Sequence, residues 1–311
     1  MYKRQNFNQE ITKSEWDAHI DYLSNLQNIF PNKEETYLSL RNHISKNIKG
    51  VKFGVLLSGG VDSSIIAKIC RDLGSTFRCF CVGIEGSKDI FHAKKISDFF
   101  GFDLVVKEYT LQEVEILLKK VIDILPRPVI EEDNYIEYIV KVTVSAVLLG
   151  SMSLGEEELF LSGIGAEELF AGYQRHSKAI EDGGTWRGLN IESLDKESIN
   201  GLKRMHNLVY ERDSFLCSYL SKSILAPYLA NDVIIQAINM ESSQKIDLFN
   251  NKKILREISL DLEIPDEFSN RKKKGAQYGS GFDKAISKLA KMNKFRLKKR
   301  YLENLLLKKK M

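Results

Sequence analysis

Apolar residues recur in two registers along this chain: short solid runs, and longer stretches in which they return every three or four positions. Ser14–Phe30 and Glu35–Ile48 carry the helical spacing and predict two helices that lead into a sheet. Val51–Leu57 is a solid apolar run and predicts a strand, followed by a helical stretch over Ser63–Leu73. Phe77–Ile84 predicts a second strand, with a helix from Asp89 to Phe100 after it. Asp103–Glu108 predicts a third, followed by a helix over Leu111–Leu125. Pro126 and Pro128 break the chain before a helical segment, Asn134–Leu149, and Leu159–Ser162 reads as a short strand entering a glycine motif. Strand–helix alternation of this kind predicts an α/β fold, with a Rossmann-like parallel sheet covered on both faces. Ligands then bind beyond the carboxyl ends of the strands. From about Gly183 strand signals fade and helices dominate, so the C-terminal part is expected to be helical. The chain has no internal repeat and no low-complexity segment apart from its lysine-rich end.

Composition narrows the class. With 311 residues, 43% hydrophobic and 28% charged, the chain reads as a soluble globular protein of one large domain or two ordinary ones. No apolar run approaches the roughly 18 residues that span a membrane, and no secretory signal is visible. Cys70, Cys79, Cys81 and Cys217 show no C-x-x-C spacing. Cys79 and Cys81 would face the same side of one strand, which suits core packing and a reducing cytoplasm. The net charge of +4 conceals an asymmetry: residues 271–311 hold 15 Lys/Arg against Asp283 and Glu303, or +13, leaving −9 for the rest. A basic tail can contact RNA, but a solvated lysine-rich helix face is the commoner meaning of such a run. Met1–Gln5 have two readings, a natural N-terminus or the back-translated end of a sequencing-library adapter. In the second case upstream sequence is missing.

The chemistry begins at Ser58–Ser64, S-G-G-V-D-S-S, between the first predicted strand and its helix. Strand, glycine turn and helix start in that order make a phosphate cradle. Gly59 and Gly60 let the backbone approach an anion, and the hydroxyls of Ser58, Ser63 and Ser64 and the free N–H groups of the helix start point at it. Asp62 is the exception, because a carboxylate facing a polyphosphate is repulsive unless a cation lies between them; it implies Mg²⁺. No lysine follows the glycines, so this is not the G-x-x-x-x-G-K-[ST] loop. It resembles the S-G-G-x-D-S loop of the PP-loop ATP pyrophosphatases, the adenine nucleotide alpha hydrolase-like enzymes that split ATP into AMP and pyrophosphate. In them the loop holds the pyrophosphate.

Ser162–His176, S-G-I-G-A-E-E-L-F-A-G-Y-Q-R-H, repeats that geometry, and Glu167 or Glu168 could give the Mg²⁺ a second carboxylate. Acids are also favoured at any helix start, so the motif alone has an ordinary reading too. Here the resemblance sharpens to the synthetase domain of the asparagine synthetase family, which carries a similar S-G-x-G-A-D-E-x-F-x-G-Y. Matched by position, Glu167 stands for a metal-binding aspartate, Glu168 for a glutamate, and Gly163 for a backbone contact to the nucleotide. Ile164 departs from the pattern: it replaces a glutamate thought to help the incoming amine lose its proton, which an isoleucine cannot do.

Downstream, Lys252–Ile258 (K-K-I-L-R-E-I), Ile264–Phe268 and Arg271–Gly281 (R-K-K-K-G-A-Q-Y-G-S-G) resemble the family's C-terminal lysine segment. That resemblance brings Lys273 to the reaction centre, with Lys272 and Lys274 as substitutes, and makes Gly275, Gly279 and Gly281 a flap over the nucleotide. A cation there suits negative charge gathering at the α-phosphate. Arg212-Asp213 and Ala226–Leu229 resemble a weaker family segment in which Leu225 replaces an arginine and Ala230 an aspartate.

The expected organisation is N-terminal helices over 1–50, a PP-loop ATP-binding α/β domain over 51–180, and a helical part with flap and basic tail over 181–311. The expected cofactors are ATP and Mg²⁺: Asp62 and Glu167 hold the metal, Ser58–Ser64 the pyrophosphate, and Lys273 the transition state. Val82 and Gly83, after the second strand, lie beside adenine. The resemblance implies a ligase that adenylates a carboxylate, aspartate first, and amidates it with ammonia. Its partners are small molecules, with a separate or lost glutaminase domain as the ammonia source and no nucleic acid or membrane. A regulatory ATP-binding protein without turnover and a tRNA-modifying PP-loop enzyme are the alternatives.

Overall fold

In the computed structural model, which describes residues 11–27, 31–126, 135–180, 184–186, 189–271 and 274–308, the solid apolar runs become one parallel sheet. The readings placed on Met1–Gln5, Pro128, Lys272 and Lys273 fall outside the described residues. The sheet strands are β1 (Phe53–Leu56), β2 (Arg78–Gly83), β3 (Asp103–Glu108) and β4 (Leu159–Leu161). A short antiparallel pair, β5 (Gly184–Trp186) and β6 (Leu189–Ile191), stands apart from it, and β7 (Ser223–Leu225) rejoins it. The order is β3-β2-β1-β4-β7 and every neighbouring pair is parallel. Val55 at the centre is registered with Cys79 on one side and Leu161 on the other.

This order fixes where a ligand can sit. The chain runs outward from β1 through β2 to β3, then returns to the far side of β1 to lay down β4 and β7. The loops leaving β1 and β4 therefore part company at their carboxyl ends, and that crevice is where open parallel sheets bind ligands.

Local sequence explains the flanking helices. Thr12 with Glu15, and Thr110 with Glu113, form capping boxes that start Lys13–Ser24 and Leu111–Ile124. Lys88–Phe100 starts under the Ser87 hydroxyl and stops at Gly101, whose φ of 68° few other residues adopt cheaply. Val61–Asp72 packs on β1, and Tyr135–Met152 packs on β2. The late helix Phe282–Met292 lies against Leu111–Ile124 and Tyr135–Met152, so the C-terminal part shares one continuous apolar core with the sheet. All four cysteines are free and buried within that core or beside it.

The fading of strand signals after Gly183 is corrected by β7. Ser-Ile-Leu is too short to announce itself, yet it pairs with β4 from Leu159↔Ser223 to Leu161↔Leu225 and completes the sheet. Its Leu225 carbonyl also accepts from the Ser162 N–H at 3.0 Å, which anchors the start of the second glycine motif.

Candidate active site

The first glycine loop leaves β1 and turns at Gly59, φ 69°, into the helix Val61–Asp72. A side chain at Gly59 would meet the His92 backbone carbonyl carbon at 2.5 Å, so the helix Lys88–Phe100 presses directly on the turn. Gly60 differs: its φ is −94° and a Cβ there would meet only the Ser58 hydroxyl at 3.5 Å, so neither crowding nor backbone angle demands glycine. The Ser63 hydroxyl folds back into the loop, accepting from the Ser58 N–H at 3.2 Å and donating to the Gly60 carbonyl at 3.2 Å. Ser64 is wholly buried, and its hydroxyl has no hydrogen-bond partner among the described residues.

Asp62 lies in the first turn of that helix, 4% exposed. The second glycine loop leaves β4 and reaches Glu167, 9% exposed, in the short helix Ala166–Leu169. The two acids meet on one cation. The Lys252 ammonium donates to Asp62 Oδ1 at 2.8 Å, to Asp62 Oδ2 at 2.7 Å and to Glu167 Oε1 at 2.6 Å. Lys252 is itself 2% exposed. Its backbone has φ 57°, a left-handed conformation that costs a side-chain-bearing residue about 1–2 kcal/mol, at the start of the helix Lys253–Asp261.

Glycines make the room. A Cβ on Gly172 would lie 2.0 Å from Glu167 Oε2 and 2.4 Å from Lys252 Cε; a Cβ on Gly163 would lie 3.0 Å from Asp62 Cβ. From behind, the buried Tyr228 hydroxyl donates to the Asp62 carbonyl at 3.1 Å.

Glu168 turns elsewhere. It accepts from the Tyr173 hydroxyl at 2.7 Å, and burial pushes its carboxyl above the ordinary range, with Glu167 adding to the rise. Arg175 stacks its guanidinium 4.0 Å from the Tyr173 ring centre and donates, as Arg204 does, to the buried Glu197. The two adjacent acids thus have separate settings, one on the ammonium and one on a tyrosine.

The third segment closes over the first loop. Arg271 donates to the Ser58 carbonyl at 2.6 Å and to Asp89 Oδ1. The Ile84 N–H donates to the Ser280 carbonyl at 2.9 Å, and the Ser87 hydroxyl to the Gly279 carbonyl at 3.1 Å. At Gly279 a Cβ would lie 2.2 Å from both Asp89 carboxylate oxygens and would push Asp89 off its place beside Arg271, and Gly281 has φ 80° with Ile84 beneath it. Val82 and Gly83 sit at the end of β2 beside this segment. Burial and the neighbouring Arg271 hold His92 below its ordinary pKa. Ile164 packs partly buried on the core, as hydrocarbon should.

Among the described residues no three acidic, histidine or cysteine side chains cluster as a metal cage. Two carboxylates alone fit Mg²⁺, a hard cation that takes one or two carboxylates and completes its shell with phosphate oxygens and water. Lys252 is the residue that sequence reasoning passed over. It opens K-K-I-L-R-E-I, a segment matched to the family but given no role for this lysine; the 190- and 85-residue contacts to Asp62 and Glu167 supply one.

Known proteins that resemble this chain point the same way. The asparagine synthase family profile matches residues 40–216. A Methanocaldococcus jannaschii protein named as a glutamine-hydrolysing asparagine synthetase is 29% identical over 86% of this chain and 53% of its own length. Asparagine synthetase 2 (glutamine-hydrolysing) of Lotus japonicus is 28% identical over 65% of this chain and 34% of its own. The chain therefore spans about half the length of the first relative and about a third of the second. A looser likeness is to the NMN synthetase structure from Francisella tularensis, with TM-score 0.41, 10% identity, and 79% and 77% of the two chains covered. It carries no functional weight.

Proposed function

The chain belongs to the asparagine synthase family, and on that premise we propose that it uses ATP and Mg²⁺ to adenylate a carboxylate, aspartate first, and then to amidate it with ammonia. The observation that carries this reading is the convergence of Asp62 and Glu167, one from each glycine loop, on a single cation at the switch point of the sheet.

In this reading Asp62 and Glu167 hold Mg²⁺, which supplies charge neutralisation on the polyphosphate. The glycine turn and helix start after β1 hold the β- and γ-phosphates through backbone N–H groups. Adenine lies by Val82 and Gly83, where the segment Ala276–Gly281 walls off the strand end. A substrate carboxylate oxygen attacks the α-phosphorus, the bond to the bridging oxygen breaks, and pyrophosphate leaves. Lys273, carried over from the family resemblance, stabilises the charge gathered there. Ammonia then attacks the acyl carbon, AMP leaves with the bonding pair, and one proton is released from nitrogen. Ile164 cannot take that proton, so water or AMP phosphate does.

Release of AMP and pyrophosphate from ATP–Mg²⁺, with aspartate and ammonium each added or omitted, tests this. Aspartate-dependent release with asparagine formed is the expected result; ATP binding without release under every condition would defeat it. A second reading, ATP binding without amidation, is favoured by Ile164 in the second glycine motif and by Leu225 and Ala230 in the weaker downstream segment, three uncharged residues where the family motifs carry charge. It predicts pyrophosphate release, or binding alone, with no amide.

A further inference from the structure

We infer that Lys252 is a built-in substitute for the metal: its ammonium fills the carboxylate pair while the site lacks nucleotide, so a divalent cation enters only together with the polyphosphate. The inference rests on the reading of Asp62 and Glu167 as the metal-holding pair.

The geometry is specific. Three carboxylate oxygens, both from Asp62 and one from Glu167, are bonded to one nitrogen at 2.6–2.8 Å. All three side chains are removed from water. Burying two carboxylates together is prohibitive without a cation, because desolvation and mutual repulsion add. Here the chain supplies that cation covalently, from a residue held in a left-handed conformation and seated where Gly172 leaves space for its Cε. The ammonium nitrogen, within 2.8 Å of oxygens on both acids, occupies the place a bridging divalent ion would take, and its charge repels one. A free metal ion would have to evict Lys252 into a site whose nearby charged groups include the cation Arg256, which itself lies close enough to feel Asp62. Evicting a buried charge from its partners is costly unless a new partner arrives. A triphosphate is such a partner: its oxygens accept the displaced ammonium while the metal takes the carboxylates. Lys252 thereby exchanges one anion for another, without ever being buried alone.

Mn²⁺ serves as the probe, with bound metal followed by electron paramagnetic resonance and by thermal melting, neither of which depends on turnover. Nucleotide-free protein should bind Mn²⁺ weakly and melt at an unchanged temperature. With α,β-methylene ATP it should bind one ion tightly. Lys252→Met should take up Mn²⁺ without nucleotide about a hundredfold more tightly than the unsubstituted protein, since a unit charge at this range is removed. It should also melt lower than the unsubstituted protein until the ion is added. Equal nucleotide-free affinity in the two proteins overturns the inference and leaves the metal pair standing. Should Lys252→Met not fold, the unsubstituted protein decides alone: Mn²⁺ bound as tightly without the analogue as with it overturns the inference. No bound metal in any state, analogue included, overturns the metal reading and the inference with it.

Discussion

Burial keeps a histidine neutral where it outweighs the nearby negative charge, and His176 is in that position, with Glu167 opposing the shift. It is 0% exposed, its Nδ1 accepts from the Tyr173 N–H at 3.4 Å, and burial, aided by Arg175, pushes its pKa from 6.5 to about 3. The unfolded chain therefore binds a proton below pH 6.5 that the fold refuses until about pH 3. Stability from this group is complete above pH 6.5 and falls as pH drops through that window, by about 1.4 kcal/mol per pH unit. Glu168 has the opposite sign: its raised pKa lets the fold hold a proton that the unfolded chain has released, so its contribution is lost as pH rises from 4.5. Comparing His176→Gln with the unsubstituted protein cancels Glu168. Urea denaturation at pH 6.5, 5.5 and 4.5 should show the variant losing less stability per unit, by about one proton's worth; parallel pH profiles would refute the assignment. Gly172 makes a second residue-scale case, because the alanine methyl would fall on Glu167 Oε2 and Lys252 Cε. Gly172→Ala should cost about 1–3 kcal/mol by overpacking and abolish pyrophosphate release, while a folded, fully active variant would show that Glu167 and Lys252 yield to the methyl.

At the scale of elements, the segment from Arg271 to Gly281 is tied to the sheet by polar contacts at both ends. Arg271 reaches the loop after β1 and Asp89; Ser280 and Gly279 reach Ile84 and Ser87 after β2. Arg271→Ala removes the guanidinium from a side chain pair that is about nine-tenths buried on both sides. It should lower stability by about 3 kcal/mol, weaken ATP binding measured by calorimetry, and expose the bonds around Lys274 to trypsin. Unchanged protease resistance would mean that Gly279–Gly281 anchor the segment alone. Sequence made this segment visible as a glycine-rich flap, although only Gly281, with φ 80°, answers to a local backbone constraint; Gly279 answers to Asp89, remote in the chain. It also made β1, β2 and β4 visible, since buried strands are solid apolar runs, and it made the half-exposed edge strand β3 visible through its Leu-Val-Val centre between two helical stretches. β7 stayed hidden because three residues carry no periodicity and its pairing is decided by β4, some sixty positions earlier in the chain. Lys252 stayed hidden for the same kind of reason: the carboxylates that bury it are remote in sequence, and its own segment gives it no role.

Charge at the scale of the whole molecule divides the same way. Of the +13 of residues 271–311, two amphipathic helices, Phe282–Met292 and Lys298–Lys308, carry +5, and most of the rest lies in the run Arg271–Lys274 and at Lys294 and Arg296. Phe282, Ala285, Ile286 and Leu289 face inward at helical spacing, while Lys284, Lys288 and Lys291 are exposed on the other side. The last helix buries Tyr301, Leu302, Leu305 and Leu306, and it lies against Leu111–Ile124 and Tyr135–Met152. No described helix is long and apolar enough to cross a membrane. These two helices are therefore part of the fold's packing, with their lysines as the solvated side. Two changes separate packing from charge. Truncation after Asn293 strips four buried apolar side chains and should lower the unfolding free energy by about 5 kcal/mol, enough to erase most of a typical domain's margin. Lys288→Glu reverses an exposed charge, touches no buried atom, and should shift stability by no more than about 0.5 kcal/mol. Urea midpoints of the two variants, read against the unsubstituted chain, measure both at once. A stable truncated protein with full pyrophosphate release would make the last helix an ornament of the surface. A large loss from Lys288→Glu would instead assign the lysine face a partner of its own.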